Sequence, residues 1–174
     1  MKKILFNDKF LLTQEVLYGN KTMTRRLLKD NVPLGNWEET AKHLSYKVGE
    51  VVAIAQSYKT IYSDIEGKDA AENFKKEYEN TAGWNNKMFV KADLLPHHIR
   101  ITDVKVERLQ EISEEDALRE GIEEFCFDYF LPNDYSKPFL MPRDAFAFLI
   151  DKVGKKGDWD KNPLVAAYTF ELVD

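Results

Sequence analysis

The chain has 174 residues, 44% of them hydrophobic, with a formal net charge of −5. That length suits one compact core, and the negative balance argues against a general polyanion-coating protein, whose affinity rests on many phosphate contacts. No apolar run approaches the roughly 20 residues that cross a bilayer, and Met1-Lys-Lys-Ile-Leu-Phe6 is charged too soon for a secretion signal, so the expected setting is the cytoplasm with no membrane partner.

Along the chain, Ile4-Leu5-Phe6 reads as a short strand. Asp8 can cap a helix running to Tyr18, with Leu11, Leu12, Val16 and Leu17 near helical spacing, and Gly19 suits its left-handed end. Directly after it comes Gly19-Asn-Lys-Thr-Met-Thr-Arg-Arg26, three cations and two hydroxyls in a ligand-facing composition. Residues 1–30 carry seven Lys or Arg against three acids, whereas residues 103–134 carry eleven acids against three bases. Such polarity fits a basic mouth for an anionic ligand on an otherwise repelling surface.

Val48-Gly-Glu-Val-Val-Ala-Ile-Ala55 looks like a turn feeding a buried strand, and Ile99 to Leu109 alternates between apolar and polar residues as a second strand. Between them, a charged stretch with a helical pattern near Ala70–Tyr78 breaks at Thr-Ala-Gly-Trp-Asn-Asn, which reads as an insertion at about 60–90. Ser113 caps a short helix ending at Gly121, Pro142 opens another through Ile150, and Pro163–Val173 supplies a last strand. The absence of a β-α-β rhythm predicts an α+β domain over residues 1–174, a small mixed or antiparallel barrel with peripheral helices.

Cys126 stands alone, so it offers no disulfide framework, and its setting between phenylalanines predicts ordinary packing. His97-His98 would point to opposite faces of a strand, and no spaced His or Cys group accompanies them, so neither a metal nor another cofactor is expected.

Gly19-x-Lys21-x-x-Thr24-x-Arg26, then Tyr46-Lys-Val-Gly-Glu-Val-Val, Ile101-Thr-Asp-Val-Lys-Val-Glu-Arg-Leu-Gln and Trp159-Asp-Lys-Asn-Pro163, resemble in their order the ASCH-domain family of PUA-like barrels. The closest likeness is to phage- and bacteria-borne members with a GxKTxTRR start. This resemblance implies a barrel with a cleft beside the first helix and the basic motif, and a role in binding RNA or modified nucleotides. It also implies a link to bacterial acetylcytidine amidohydrolases, in which a similar segment supplies a catalytic Lys and Thr, matching Lys21 and Thr24, together with a Glu on a later strand. The strand Ile99-Arg-Ile-Thr102 offers Arg100 where that glutamate is expected, and a guanidinium cannot relay a proton as a carboxylate does.

Three functions follow as expectations. In a binding module for RNA, a nucleotide or a modified nucleoside, Lys21, Arg25 and Arg26 engage phosphate, Thr22 or Thr24 contacts sugar or base, and Tyr58 or Trp84 stacks on a base. In an amidohydrolase of an acylated nucleoside, Lys21 deprotonates Thr24 and Glu50 or Asp103 stands in for the carboxylate. In an accessory protein-interaction domain, the basic run pairs with the acidic 111–124 segment.

Overall fold

The computed structural model describes residues 1–174. Six α-helices and eight strands follow one another along the chain: β1 (Lys3–Ile4), α1 (Leu12–Leu17), β2 (Met23–Leu27), α2 (Trp37–His43), β3 (Val51–Ile54), α3 (Tyr58–Asp64), α4 (Lys68–Tyr78), β4 (His98–Arg108), α5 (Glu114–Arg119), β5 (Glu123–Phe125), β6 (Asp128–Leu131), β7 (Asp134–Phe139), α6 (Pro142–Val153) and β8 (Leu164–Leu172). Hydrogen bonding orders β1-β3-β4-β8-β2 as a five-stranded mixed sheet and β5-β6-β7 as an antiparallel one. The architecture is α+β. No helix is long and apolar enough to cross a membrane.

The chain divides into two compact units, one of residues 1–6, 51–99 and 172–174, the other of residues 7–50 and 100–171. In the first, β1 runs parallel to β3, with Lys3 opposite Ala53 and Ile4 opposite Ile54. Its core gathers Ala53, Tyr58, Ile61, Val90 and Leu95, with Phe74, Tyr78 and Trp84 packed against it. The charged stretch read as an insertion therefore belongs to this core: α4 has no buried residue of its own, yet two of its aromatics cover Tyr58. Tyr58 and Trp84, expected to stack on a base, instead pack among these apolar side chains, and the Tyr58 hydroxyl accepts from the Lys91 N–H. Burying so much ring surface is the stronger demand.

The second unit is built on β2 and β8, antiparallel with Thr24 opposite Tyr168 and Arg25 opposite Ala167. The first helix is shorter than expected: Asp8 does not cap it but accepts from the Thr13 hydroxyl at 2.7 Å, and Leu11 precedes it in the left-handed region at φ 49°. Gly19, at φ +79°, ends it as anticipated. What the composition alone suggested was a ligand-facing motif turns out, from Met23 onward, to be a strand whose first three residues are buried. Pro142 opens α6, whose buried face carries Ala145, Phe146 and Leu149. Phe146 meets Trp159 edge-on at 6.2 Å, and the Trp159 carbonyl accepts from Gln110, so the Trp159…Pro163 segment serves packing. Cys126 departs from expectation: it is exposed at the tight β5–β6 turn, where it and Phe127 both have positive φ.

Candidate functional site

The site is assembled where the residues after α1 meet the end of α5, both within the second unit. Ser113 caps α5 by accepting from the Asp116 N–H at 3.1 Å, which fixes the helix start and hence the direction of Asp116 and Glu120. Gly121 follows at φ +104°, a conformation that turns the chain immediately after Glu120 and that a side chain would strain. The last carbonyls of the helix are then taken up by the motif: the Thr22 N–H donates to Arg119 O at 2.9 Å and the Lys21 ammonium donates to Glu120 O at 2.7 Å. A cation on these carbonyls is favoured by their exposed partial charge.

Lys21 makes a second and shorter contact with the same residue. Its Nζ lies 2.6 Å from Glu120 Oε2, and both side chains are almost wholly out of water, 3% and 5% exposed. Burial pushes the Lys21 amine below its ordinary value; Glu120 opposes that shift, while Arg26 and Arg25 add to it. The net direction is down, toward an amine able to accept a proton.

Arg25 occupies the centre of a second layer. Its side chain is 1% exposed, and its guanidinium donates to Glu107 Oε1 through Nε at 3.0 Å and Nη2 at 2.7 Å, to Asp116 Oδ2 at 2.9 Å, and to Glu120 Oε1 at 3.1 Å. Ala167, directly opposite Arg25 on β8, carries only a methyl, which leaves the long side chain room to pass over β8 toward Glu107 on β4. Lys105 completes the group, 2.9 Å from Asp116 and 3.1 Å from Glu107. Burial would raise the Asp116 carboxyl, but hydrogen bonds from Lys105 and Arg25 outweigh it and hold the group below the usual carboxylate range. Burial likewise works against Arg25, and attraction from Glu120, Glu107 and Asp116 turns its shift upward.

The remaining motif residues take other roles. Thr22 is half-buried, its hydroxyl accepting from Arg119 Nε at 3.3 Å. Thr24 is buried on the strand beside Tyr168, whose ring is met edge-on by Tyr46 at 5.3 Å. Arg26 is half-buried; burial lowers its pKa, while Tyr46, Glu120 and Tyr168 act in the opposite sense. Of the three cations expected to engage phosphate, Lys21 and Arg25 are neutralised internally by carboxylates, so neither presents a solvated cation. The pairing of the basic run with the acidic 111–124 segment holds for both.

Position 100, where the resemblance implies a glutamate, bears an arginine, and the carboxylate that meets Lys21 is that of Glu120. Arg100 is half-exposed and lies 3.6 Å from Glu171, whereas Glu120, at the end of a helix rather than on a strand, carries the carboxylate on Lys21. Glu50, one stand-in considered for it, instead accepts from the Lys47 N–H across a turn. Asp103, the other, is exposed on β4. The signal that would have found Glu120 is its place: an acid at the foot of a Ser-capped helix, just before a glycine, has its backbone and side chain turned the same way. His98 pairs with Asp174 at 2.6 Å. No group of His, Cys, Asp and Glu has metal-ligand geometry.

No protein-family model matches the sequence, and no curated protein matches it. Among solved structures it is similar to the crystal structure of protein EF3133 from Enterococcus faecalis V583, described as family DUF984, at a TM-score of 0.48 and 17% identity over 100% of this chain and 81% of that one.

Proposed function

We propose that this chain is an ASCH-type, PUA-like barrel protein of the cytoplasm that hydrolyses the acyl amide of a modified nucleoside such as acetylcytidine, with Lys21, Thr24 and Glu120 as its reacting groups. The observation that carries this reading is the buried 2.6 Å contact between Lys21 and Glu120. It supplies the acid–base partner that the Lys–Thr motif needs and that Arg100 could not provide.

The chemistry runs in two halves. Neutral Lys21 takes the proton of the Thr24 hydroxyl as Oγ1 bonds to the acyl carbon; the C–N bond breaks as that proton passes from the Lys21 ammonium to the leaving nitrogen. Water then attacks the threonyl ester, giving up its proton to Lys21; the bond between the acyl carbon and Oγ1 breaks as Lys21 passes that proton to Oγ1, and the acid departs with Thr24 and the neutral amine restored. Glu120 steadies the ammonium each time it forms, which keeps the amine from straying from the reacting atoms.

The test is incubation with acetylated cytidine, followed by chromatography for cytidine and acetate, with Lys21→Met and Glu120→Gln beside the native protein. Product formation that both substitutions abolish supports the reading. A folded native protein that releases no cytidine even at high concentration removes it.

A second reading, a nucleotide- or RNA-binding module without turnover, is favoured by a cavity of about 260 Å³ whose lining includes Trp37, Leu44 and Tyr46 together with Lys42, Lys47 and Glu38. Flat bases stack on such rings and phosphates suit such lysines. Salt-dependent binding of short RNAs that survives Lys21→Met but is lost in Trp37→Ala selects it over hydrolysis.

A further inference from the structure

We propose that Arg25 is a positioning residue that holds one oxygen of Glu120 so that the other is aimed at Lys21. The proposal rests on the hydrolase reading, and it concerns a residue that the sequence motif alone would assign to ligand contact.

Glu120 has two carboxylate oxygens and two cationic partners, divided without overlap: Oε1 accepts from Arg25 Nη1 at 3.1 Å and Oε2 from Lys21 Nζ at 2.6 Å. A carboxylate at the end of a helix otherwise rotates about its own side-chain bonds, and a rotation exchanges which oxygen faces the amine. Arg25 blocks this because it is itself immobile. Glu107 takes both Nε and Nη2, Asp116 takes Nη2 as well, and four of the contacts that its five N–H groups can make are thereby fixed. The planar fork sets direction as well as charge, which a lysine at this position would not do.

Charge balance points the same way. Glu107 and Asp116 offset Arg25 and Lys105, so Arg25 is not drawn wholly onto Glu120 and leaves that carboxylate charge available to Lys21. Lys161, whose ammonium pairs with Asp158 at 2.7 Å on the surface, bonds none of these carboxylates, which makes it the natural control.

The experiment compares Arg25→Gln, Arg25→Lys and Lys161→Met by steady-state hydrolysis of acetylated cytidine and by NMR titration of the Lys21 side chain, assigned through Lys21→Met. Misplacing a reacting group by about 1 Å costs on the order of 100-fold. Both Arg25 substitutions are therefore expected to lower kcat about 10- to 100-fold with KM within about twofold, whereas Lys161→Met changes neither. The Lys21 titration midpoint is expected to rise in Arg25→Gln, because Glu120 turns both oxygens to the amine and a repelling cation is gone. If Arg25→Gln does not fold, Arg25→Lys decides, since it keeps the charge and loses only the fork. An unchanged Lys21 midpoint in folded Arg25→Gln, or an unchanged kcat in Arg25→Lys, overturns the proposal, as does an equal loss of kcat in Lys161→Met. Should the native protein hydrolyse nothing, the hydrolase reading fails while the Lys21 titration still tests the coupling through Arg25.

Discussion

Lys3 and Lys21 each bring an ammonium to partners far along the chain, one in each compact unit, and the partners differ in kind. Lys3 Nζ donates to three backbone carbonyls, of Lys87 at 3.3 Å, Met88 at 2.7 Å and Val90 at 2.5 Å. Lys21 donates to one carbonyl and one carboxylate of Glu120. Carbonyl dipoles can only hold an ammonium, so these contacts of Lys3 tie the 87–90 segment down. A carboxylate can hold the ammonium, steady its charge and exchange protons with it, so the Lys21 pair has chemistry available that the Lys3 clamp lacks.

The largest expected effect separates the two on activity. Lys21→Met and Glu120→Gln should each lower kcat/KM for acetylated cytidine by about 10²–10⁴-fold, the usual contribution of a positioned proton-transfer group, while Lys3→Met leaves it within about twofold. An equal loss from Lys3→Met would erase the distinction.

Stability should rank the two units in the same order. Removing one partner of a buried ion pair leaves the other charge uncompensated, so Arg25→Met is expected to cost about 3–5 kcal/mol in urea denaturation. Lys3→Met removes charge-assisted hydrogen bonds to neutral acceptors and should cost about 1.5–3 kcal/mol. A milder loss from Arg25→Met than from Lys3→Met would mean that the carboxylates around it readily hydrate or protonate.

The pH dependence of stability sharpens the contrast further. Between the depressed folded-state value of Lys21 and its ordinary value of 10.5, the unfolded chain binds more protons, so stability rises with pH across that window by at most about 1.4 kcal/mol per unit. Lys3, lowered by burial alone, contributes in the same sense. The two part in Glu120→Gln, which removes the group that raises the Lys21 value and so extends the window downward. Asp116 works at the other end: its folded value lies below 3.8, so its contribution is whole above 3.8 and is lost as pH falls through the folded value. Asp116→Asn should flatten that acid limb.

A smaller effect comes from the scaffold of the site. Ser113→Ala removes the cap of α5 and should cost about 1 kcal/mol. Because the helix carries both Asp116 and Glu120, activity should fall modestly alongside.

Much of the frame was legible from local signals. The alternation of Ile99–Leu109 became β4, the Pro142 start became α6, and Pro163–Val173 became β8, because periodicity and caps act within a few residues of chain. The β5-β6-β7 sheet was not read, since its turn places Cys126 and Phe127 at positive φ without a glycine to announce it. At the candidate site, the motif drew attention to Lys21, which the fold brings to Glu120. The surroundings were not legible, because the burial of Arg25 depends on carboxylates 82, 91 and 95 positions away. A cation's sequence neighbours say whether it is basic company, and only the fold says whether it is neutralised.

The smallest expected effect is the most pointed. Arg100 stands where the resemblance calls for a third reacting group, and its ion pair with Glu171, at 3.6 Å, is half-exposed. Exposed pairs at such a distance contribute about 0–1 kcal/mol, as solvent screens the attraction and two long side chains must be ordered to make it. Arg100→Ala should thus leave both the urea midpoint and the hydrolysis of acetylated cytidine nearly unchanged, and Arg100→Glu should not raise that hydrolysis. A gain of activity in Arg100→Glu would return the missing carboxylate to β4 and take Glu120 out of the reaction, leaving the Lys21–Glu120 pair a clamp of the same kind as Lys3.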